Sequence, residues 1–142
     1  MWSLQIVSLI CLFASATPSI AQTLTTVTWS SFYDNANQST AIIACAEWAA
    51  GNNFTTLGDV PAFPNIGGAS IASGNTSACG TCLSILDEQT GITIEVTVVD
   101  AATTGVVVSL EALNVATENN AQNLGSIQAS VTVAPSPTVC NP

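Results

Sequence analysis

Only carboxylates are available to this chain for acid–base chemistry. Its 142 residues carry nine Asp and Glu side chains and no lysine, arginine or histidine, for a net charge of −9 at pH 7. Ser-His-Asp and Cys-His nucleophile systems are thereby excluded, as are histidine metal sites. With no basic side chain to neutralise phosphates, electrostatic binding of nucleic acid is excluded too, and anionic membranes are poor partners. Asp100 stands out among the acids because it ends the clearest strand pattern in the chain, Ile92-Thr93-Ile94-Glu95-Val96-Thr97-Val98-Val99-Asp100. That places it at the rim of a sheet, where binding residues collect. An aspartate after a strand serves equally well as the first residue of a turn, hydrogen-bonded to its own backbone. Cleavage of a glycosidic bond needs a second carboxyl group roughly 5 to 10 Å away. Glu95, Asp34, Glu47 and Asp59 are the candidates, and spacing places none of them beside Asp100.

The aromatic residues are the other chemistry-bearing set. Beyond residue 21 they all precede residue 64: Trp29, Phe32, Tyr33, Trp48, Phe54 and Phe63. Any stacking platform for a ligand ring must come from this half. Tyr33 reads as a surface residue, with Asp34 beside it as a groove neighbour or a turn former. Trp29 and Phe63 fit the core equally well, and Trp48 is open.

Residues 1–21 read as a secretory signal cleaved after Ala21, with an apolar core from Leu4 to Ala14 and small residues at the cleavage positions. Only the initiating amine supplies positive charge ahead of that core. The apolar run falls short of the about 20 residues needed to span a bilayer, so no stable membrane insertion is expected. Cleavage removes Cys11 and leaves Cys45, Cys79, Cys82 and Cys140, an even number in an oxidising compartment, so two disulfides are expected. In a cytosolic protein, Cys79-Gly80-Thr81-Cys82 would suggest a redox pair or half of a zinc site. Behind a signal peptide, structural bridges are the better reading. Residues 22–142 make one domain. Asn37-Gln38-Ser39, Asn53-Phe54-Thr55 and Asn75-Thr76-Ser77 are acceptor motifs for N-glycosylation.

The elements that must position these residues follow from patterning. Leu57 to Gly68 holds Pro61, Pro64, Gly58, Gly67 and Gly68, a composition that predicts an ordered loop and argues against a helix or central strand. Leu57, Val60, Phe63 and Ile66 recur every third residue, so one side of this loop can pack inward. Thr25 to Trp29 is a first strand. Ala41 to Ala50 is a short helix ended by Gly51 or an irregular buried piece, with Ile42, Ile43 and Cys45 in the core. Ser70 to Ala78 reads as exposed loop, and 82–99 as a hairpin turning at Asp87 to Gly91. Val106 to Val108 is a short strand, Ser109 caps a short helix containing Glu111, and 118–123 is polar loop. Ile127, Ala129, Val131 and Val133 alternate in a closing strand. Short strands with turn signals and minor helices imply a closed or nearly closed β-barrel.

Several of these stretches carry a resemblance. The entry Val27-Thr28-Trp29-Ser30-Ser31-Phe32-Tyr33-Asp34, the Leu57 to Gly68 loop, Ser77-Ala78-Cys79-Gly80-Thr81-Cys82, Val98-Val99-Asp100, Ser109-Leu110-Glu111-Ala112-Leu113 and the terminal Cys140 resemble the cerato-platanins, small secreted fungal proteins. The resemblance implies a mainly β fold with short helices, a disulfide-stapled six-stranded double-psi β-barrel similar to the first domain of expansins. It also implies that Cys45 pairs with Cys79 and Cys82 with Cys140; closing loops of such length stabilises by roughly 4 kcal/mol each in the chain-entropy model. Cerato-platanins are generally not hydrolases, and Asp100 matches an acid they share with expansins. The resemblance therefore implies a monomeric, non-catalytic protein of the fungal cell wall, with no metal or cofactor. Asp100, Tyr33 and Asp34 would bind chitin-type oligosaccharides, and a plant surface receptor would perceive the protein as an elicitor. Weak glucan cleavage by Asp100 and surface-active self-assembly are the alternatives.

Overall fold

The structure is a computed structural model that describes residues 24–74, 76–135 and 137–140. The expected leader, residues 1–21, and Asn75 lie outside the described residues. Six strands, β1 (Leu24–Trp29), β2 (Ile66–Ala69), β3 (Cys82–Asp87), β4 (Thr93–Ala101), β5 (Val106–Val108) and β6 (Ser126–Val133), close into a barrel in the order β1-β5-β2-β4-β3-β6. β1 with β5 and β2 with β4 run parallel, and the other four pairs run antiparallel. Three short helices complete it: α1 (Ala46–Gly51), α2 (Leu110–Ala116) and α3 (Ala121–Leu124).

The barrel fills because its strands alternate. Ile94, Val96 and Val98 of β4 face Leu83 and Ile85 of β3, Val27 of β1, Val106 and Val108 of β5, and Ile127 and Ala129 of β6 in one buried cluster. Ala112, Leu113 and Ala116 of α2 join this cluster, as does Ala121 of α3. The expected hairpin is present, with Leu83 opposite Val96 and Ile85 opposite Ile94. Asp87 is buried at its turn and accepts from the Gln89 amide at 2.9 Å.

A second cluster lies against the barrel. Tyr33, Ile43, Cys45, Leu57, Val60 and Ala62 from the segment before β2 pack together with Ile66 of β2 and Val99 of β4. The every-third pattern thus works as expected for Leu57, Val60 and Ile66, and Phe63 packs at the edge.

The stretch departs from expectation at its end, where Ile66–Ala69 is not loop but a fully buried strand between β5 and β4. Glycine is what lets it fit. A Cβ on Gly67 would run into the Val107 carbonyl, and one on Gly68 would lie 2.8 Å from the Tyr33 hydroxyl and 2.9 Å from the Ala101 carbonyl. Residues chosen for close backbone approach look like turn residues in one dimension.

Three smaller expectations are corrected. Ile42 and Ile43 separate, Ile42 lying 70% exposed on a single helical turn (Thr40–Ile42) while Ile43 is buried. The 70–78 loop contains two such turns, which bury Ala72 and Ala78. The 118–123 loop gives way to α3 at Ala121, whose amide donates to Asn114 Oδ1 at 3.2 Å. Two disulfides staple the fold, Cys45 to Cys79 with Cα atoms 5.6 Å apart and Cys82 to Cys140 with Cα atoms 5.7 Å apart.

Candidate functional site

Asp100 lies where β4 meets β2 with a shift in register. Val98 pairs with Gly67 and Asp100 with Gly68, leaving Val99 as the extra residue of a bulge. Val99 then packs with the outer cluster. The half-buried Asp100 carboxylate is held by three donors. Oδ1 accepts from the amides of Ala44 at 2.7 Å and Ala101 at 2.8 Å, and Oδ2 accepts from the Tyr33 hydroxyl at 3.1 Å. A carboxylate offers about four acceptor directions, so one on Oδ2 is left for a further donor. The group is fixed in place and can still receive a hydrogen bond.

Tyr33 is not the surface residue that the sequence suggests. It is 6% exposed, edge-on to Phe32 with ring centres 5.2 Å apart, and its hydroxyl is spent on Asp100. Burial pushes the phenol well above its ordinary range, and the adjacent Asp100 charge and the hydrogen bond to it act in the same direction. Its ring is packing and its hydroxyl is a clamp.

Asp34 caps a helix. Its two oxygens accept from the Leu110 amide at 2.9 Å and the Glu111 amide at 3.0 Å, while Ser109 Oγ takes the Ala112 amide at 3.0 Å. These contacts satisfy three of the unpaired N–H groups at the start of α2. The Ser109 hydroxyl in turn donates to the Pro64 carbonyl at 2.6 Å.

The remaining candidate acids are occupied elsewhere. Asp59 Oδ2 accepts from Thr55 and Thr56, contacts that hold its carboxyl below the usual range. Glu95 Oε2 accepts from the amides of Thr138 and Val139, each at 2.8 Å, and is lowered by the same bonds. Glu47 is exposed on α1. Among the described residues, the hydrogen-bond partners of Asp100 include no second carboxyl group. Cys82, Cys140 and Glu95 come within 4.8 Å of one another, but the two sulfurs are bonded to each other and offer no thiolate.

The aromatic half divides. Trp29 is half-buried and donates from Nε1 to the Ala121 carbonyl at 3.1 Å, tying β1 to α3. Trp48 and Phe54 meet edge-on at 5.6 Å and wall a cleft of about 360 Å³ together with Asn52 and Thr97. Sequence reasoning missed Asn52 and Thr97, since neither has a signal in the pattern beyond being polar. A second, wider cleft of about 580 Å³ runs from Thr40 to Glu47 and Phe54. Asn37 and Asn53 are both exposed.

Comparison with known proteins bears on this geometry. The chain is 38% identical over 101 residues to Allergen Asp f 15 of Aspergillus fumigatus, a match covering 69% of this chain and 65% of that protein. It is 37% identical over 102 residues to the Arthroderma benhamiae homologue, covering 69% of this chain and 49% of the homologue. The chain thus spans about half to two-thirds of the length of these curated relatives. Among solved structures it is similar to cerato-platanin 2 of M. perniciosa, at 33% identity and a TM-score of 0.74, covering 84% of this chain and 100% of that one. It is also similar to the fungal elicitor cerato-platanin, at 26% identity and a TM-score of 0.66, covering 77% and 91%. A Clavibacter michiganensis expansin shares the fold at 22% identity and a TM-score of 0.57, over 82% of this chain and 52% of that one. The sequence model of the cerato-platanin family matches residues 25–141. With barrel, disulfides and matched residues in agreement, the chain belongs to the cerato-platanin family.

Proposed function

We propose that this chain is a secreted, non-catalytic protein of the fungal cell wall that binds chitin-type oligosaccharides and loosens contacts between polysaccharides, with Asp100 accepting a hydrogen bond from a sugar hydroxyl or amide. One observation carries the reading: a carboxylate fixed by three donors at the rim of a closed barrel, with one acceptor direction unused. Rigid, preorganised acceptors suit recognition, since little ordering is left to do on binding. Glycoside cleavage would need a partner acid; the oxygens of Asp34, Asp59 and Glu95 accept from backbone amides and a threonine hydroxyl, and Glu47 lies exposed on α1. Export after removal of residues 1–21, glycans on Asn37, Asn53 and Asn75, and action as a monomer belong to the same reading.

Two similarities extend it. The related cerato-platanin described as a fungal elicitor supports perception by a plant surface receptor. The expansin of like fold was solved with cellohexaose, which makes cellulose-type glucan the second probe to try. The test is an NMR titration of the secreted protein with chito- and cello-oligosaccharides, beside an assay for new reducing ends on wall polysaccharide. Saturable shifts at Asp100, Ala101 and Ala44 that vanish in Asp100→Asn, with no new ends, are expected. New reducing ends, or no shifts with either sugar, would overturn the proposal.

A further inference from the structure

The Trp48 cleft is built by local geometry. Trp48 and Asn52 lie one turn apart, four residues, and so share a face of the helix end. Asn53 then takes a left-handed conformation (φ 61°), and the chain reverses so that the Phe54 amide donates to the Ala49 carbonyl at 2.9 Å and its ring returns against Trp48. On the other side Gly80, at φ 79°, leaves room for the indole: a Cβ there would lie 2.5 Å from Trp48 Nε1. Thr97 of β4 completes the lining.

Its chemistry is mixed and neutral. Among the described residues none that lines the cleft is charged, and its walls include two aromatic rings beside Val60 and Pro61. One N–H of the Asn52 amide donates to the Trp48 carbonyl at 2.8 Å, which leaves the second N–H to donate and the oxygen to accept. Thr97 is 3% exposed, and its hydroxyl has no hydrogen-bond partner among the described residues. A buried hydroxyl without a partner is costly and asks for a guest group or a water. Flat apolar faces combined with an acceptor and an unpaired hydroxyl match a ring that is apolar on its faces and hydroxylated at its edge.

We propose that this cleft is a second saccharide subsite, taking one neutral sugar ring against Trp48 with the Thr97 hydroxyl as a polar contact. The choice of a sugar over other neutral rings rests on the function proposed above, whereas the existence of a ring site rests on the cleft itself. The subsite is separate from Asp100, whose donors are Tyr33, Ala44 and Ala101. An oligosaccharide has more than one ring to place, and a cleft of about 360 Å³ is of a size for a single one.

The indole N–H signals test this in one experiment, because Trp29, bonded to Ala121, is an internal reference. Triacetylchitotriose and cellotriose are titrated into the secreted protein. The Trp48 indole signal is expected to shift saturably while that of Trp29 stays still, and the Trp48 shift is expected to persist in Asp100→Asn. Thr97→Val keeps the side-chain shape, so it is expected to hold or raise the melting temperature while weakening Trp48-site binding about fivefold, one hydrogen bond's worth. Shifts around Asp100 with a still Trp48 would sink the subsite and leave the proposed function standing. Silence at both places would sink both. Unchanged affinity in Thr97→Val would assign that hydroxyl to an ordered water and remove the polar contact from the proposal.

Discussion

Replacing Tyr33 by phenylalanine isolates the bond that positions Asp100. The ring stays in its buried place, and only the hydroxyl that donates to Oδ2 is lost. A hydrogen bond to a charged acceptor contributes about 1.5–3 kcal/mol, or a fall in melting temperature of about 6–12 °C for a domain of this size. The alkaline limb is sharper. Folding raises the phenol pKa, first through burial and then through the Asp100 charge and the hydrogen bond to it, so the stability held by the neutral, buried phenol is fully present below the unfolded value near 10 and is lost as pH climbs from there toward the folded value. Linkage gives a loss of about 1.4 kcal/mol by about pH 11. The chain makes attribution clean, since it has one tyrosine and no lysine, arginine or histidine, and its four described cysteines are in disulfides. Urea unfolding followed by tryptophan fluorescence from neutral pH to about pH 11, with tyrosinate absorbance recorded beside it, is the assay. The wild type should weaken above pH 10 and Tyr33→Phe should not. Equal alkaline losses in the two proteins, or a phenol that titrates at its ordinary value in the folded state, would refute the clamp.

Three further outcomes follow from the same contacts. Asp34→Ala removes the acceptor for two amides at the start of α2 and should cost about 1–2 kcal/mol by thermal unfolding, leaving Asp100 signals in place. Gly67→Ala forces a Cβ onto the Val107 carbonyl between two strands; a loss exceeding about 4 kcal/mol is expected, seen as failure to give a folded circular dichroism spectrum. Glu95 has its pKa lowered by the Thr138 and Val139 amides, so its contribution is present above the ordinary carboxylate range and disappears as pH falls through the lowered value. Hydrogen exchange should therefore show protection at those two amides vanishing in acid, and absent at neutral pH in Glu95→Ala.

How much of this was legible in the sequence depends on the range of the interactions concerned. β4 announces itself because Ile94, Val96 and Val98 alternate with Thr93, Glu95 and Thr97, and Ser109 announces α2 because a cap is a local signal. β2 is invisible for the opposite reason: Gly67 and Gly68 are dictated by Val107, Ala101 and Tyr33, all distant in the chain. The site divides along the same line. That Asp100 ends a strand can be read directly, but its partner Tyr33 is 67 residues away, and nothing near Tyr33 says that its ring goes inward. Asp34 looked like a groove or turn residue because its helix lies 76 residues on. The Trp48 cleft needed the left-handed Asn53 to fold Phe54 back, a conformation that sequence suggests only weakly.

The segment after β6 is fastened twice, by Glu95 through two amides and by Cys140 to the first residue of β3. An exopeptidase nibbling from the carboxyl end would therefore stall at the bridged half-cystine and could not peel β6 away. Trypsin fares no better, since a chain without lysine or arginine offers it no bond to cut even when unfolded. Enzymes that cleave after apolar residues find most of those residues in the two packed clusters.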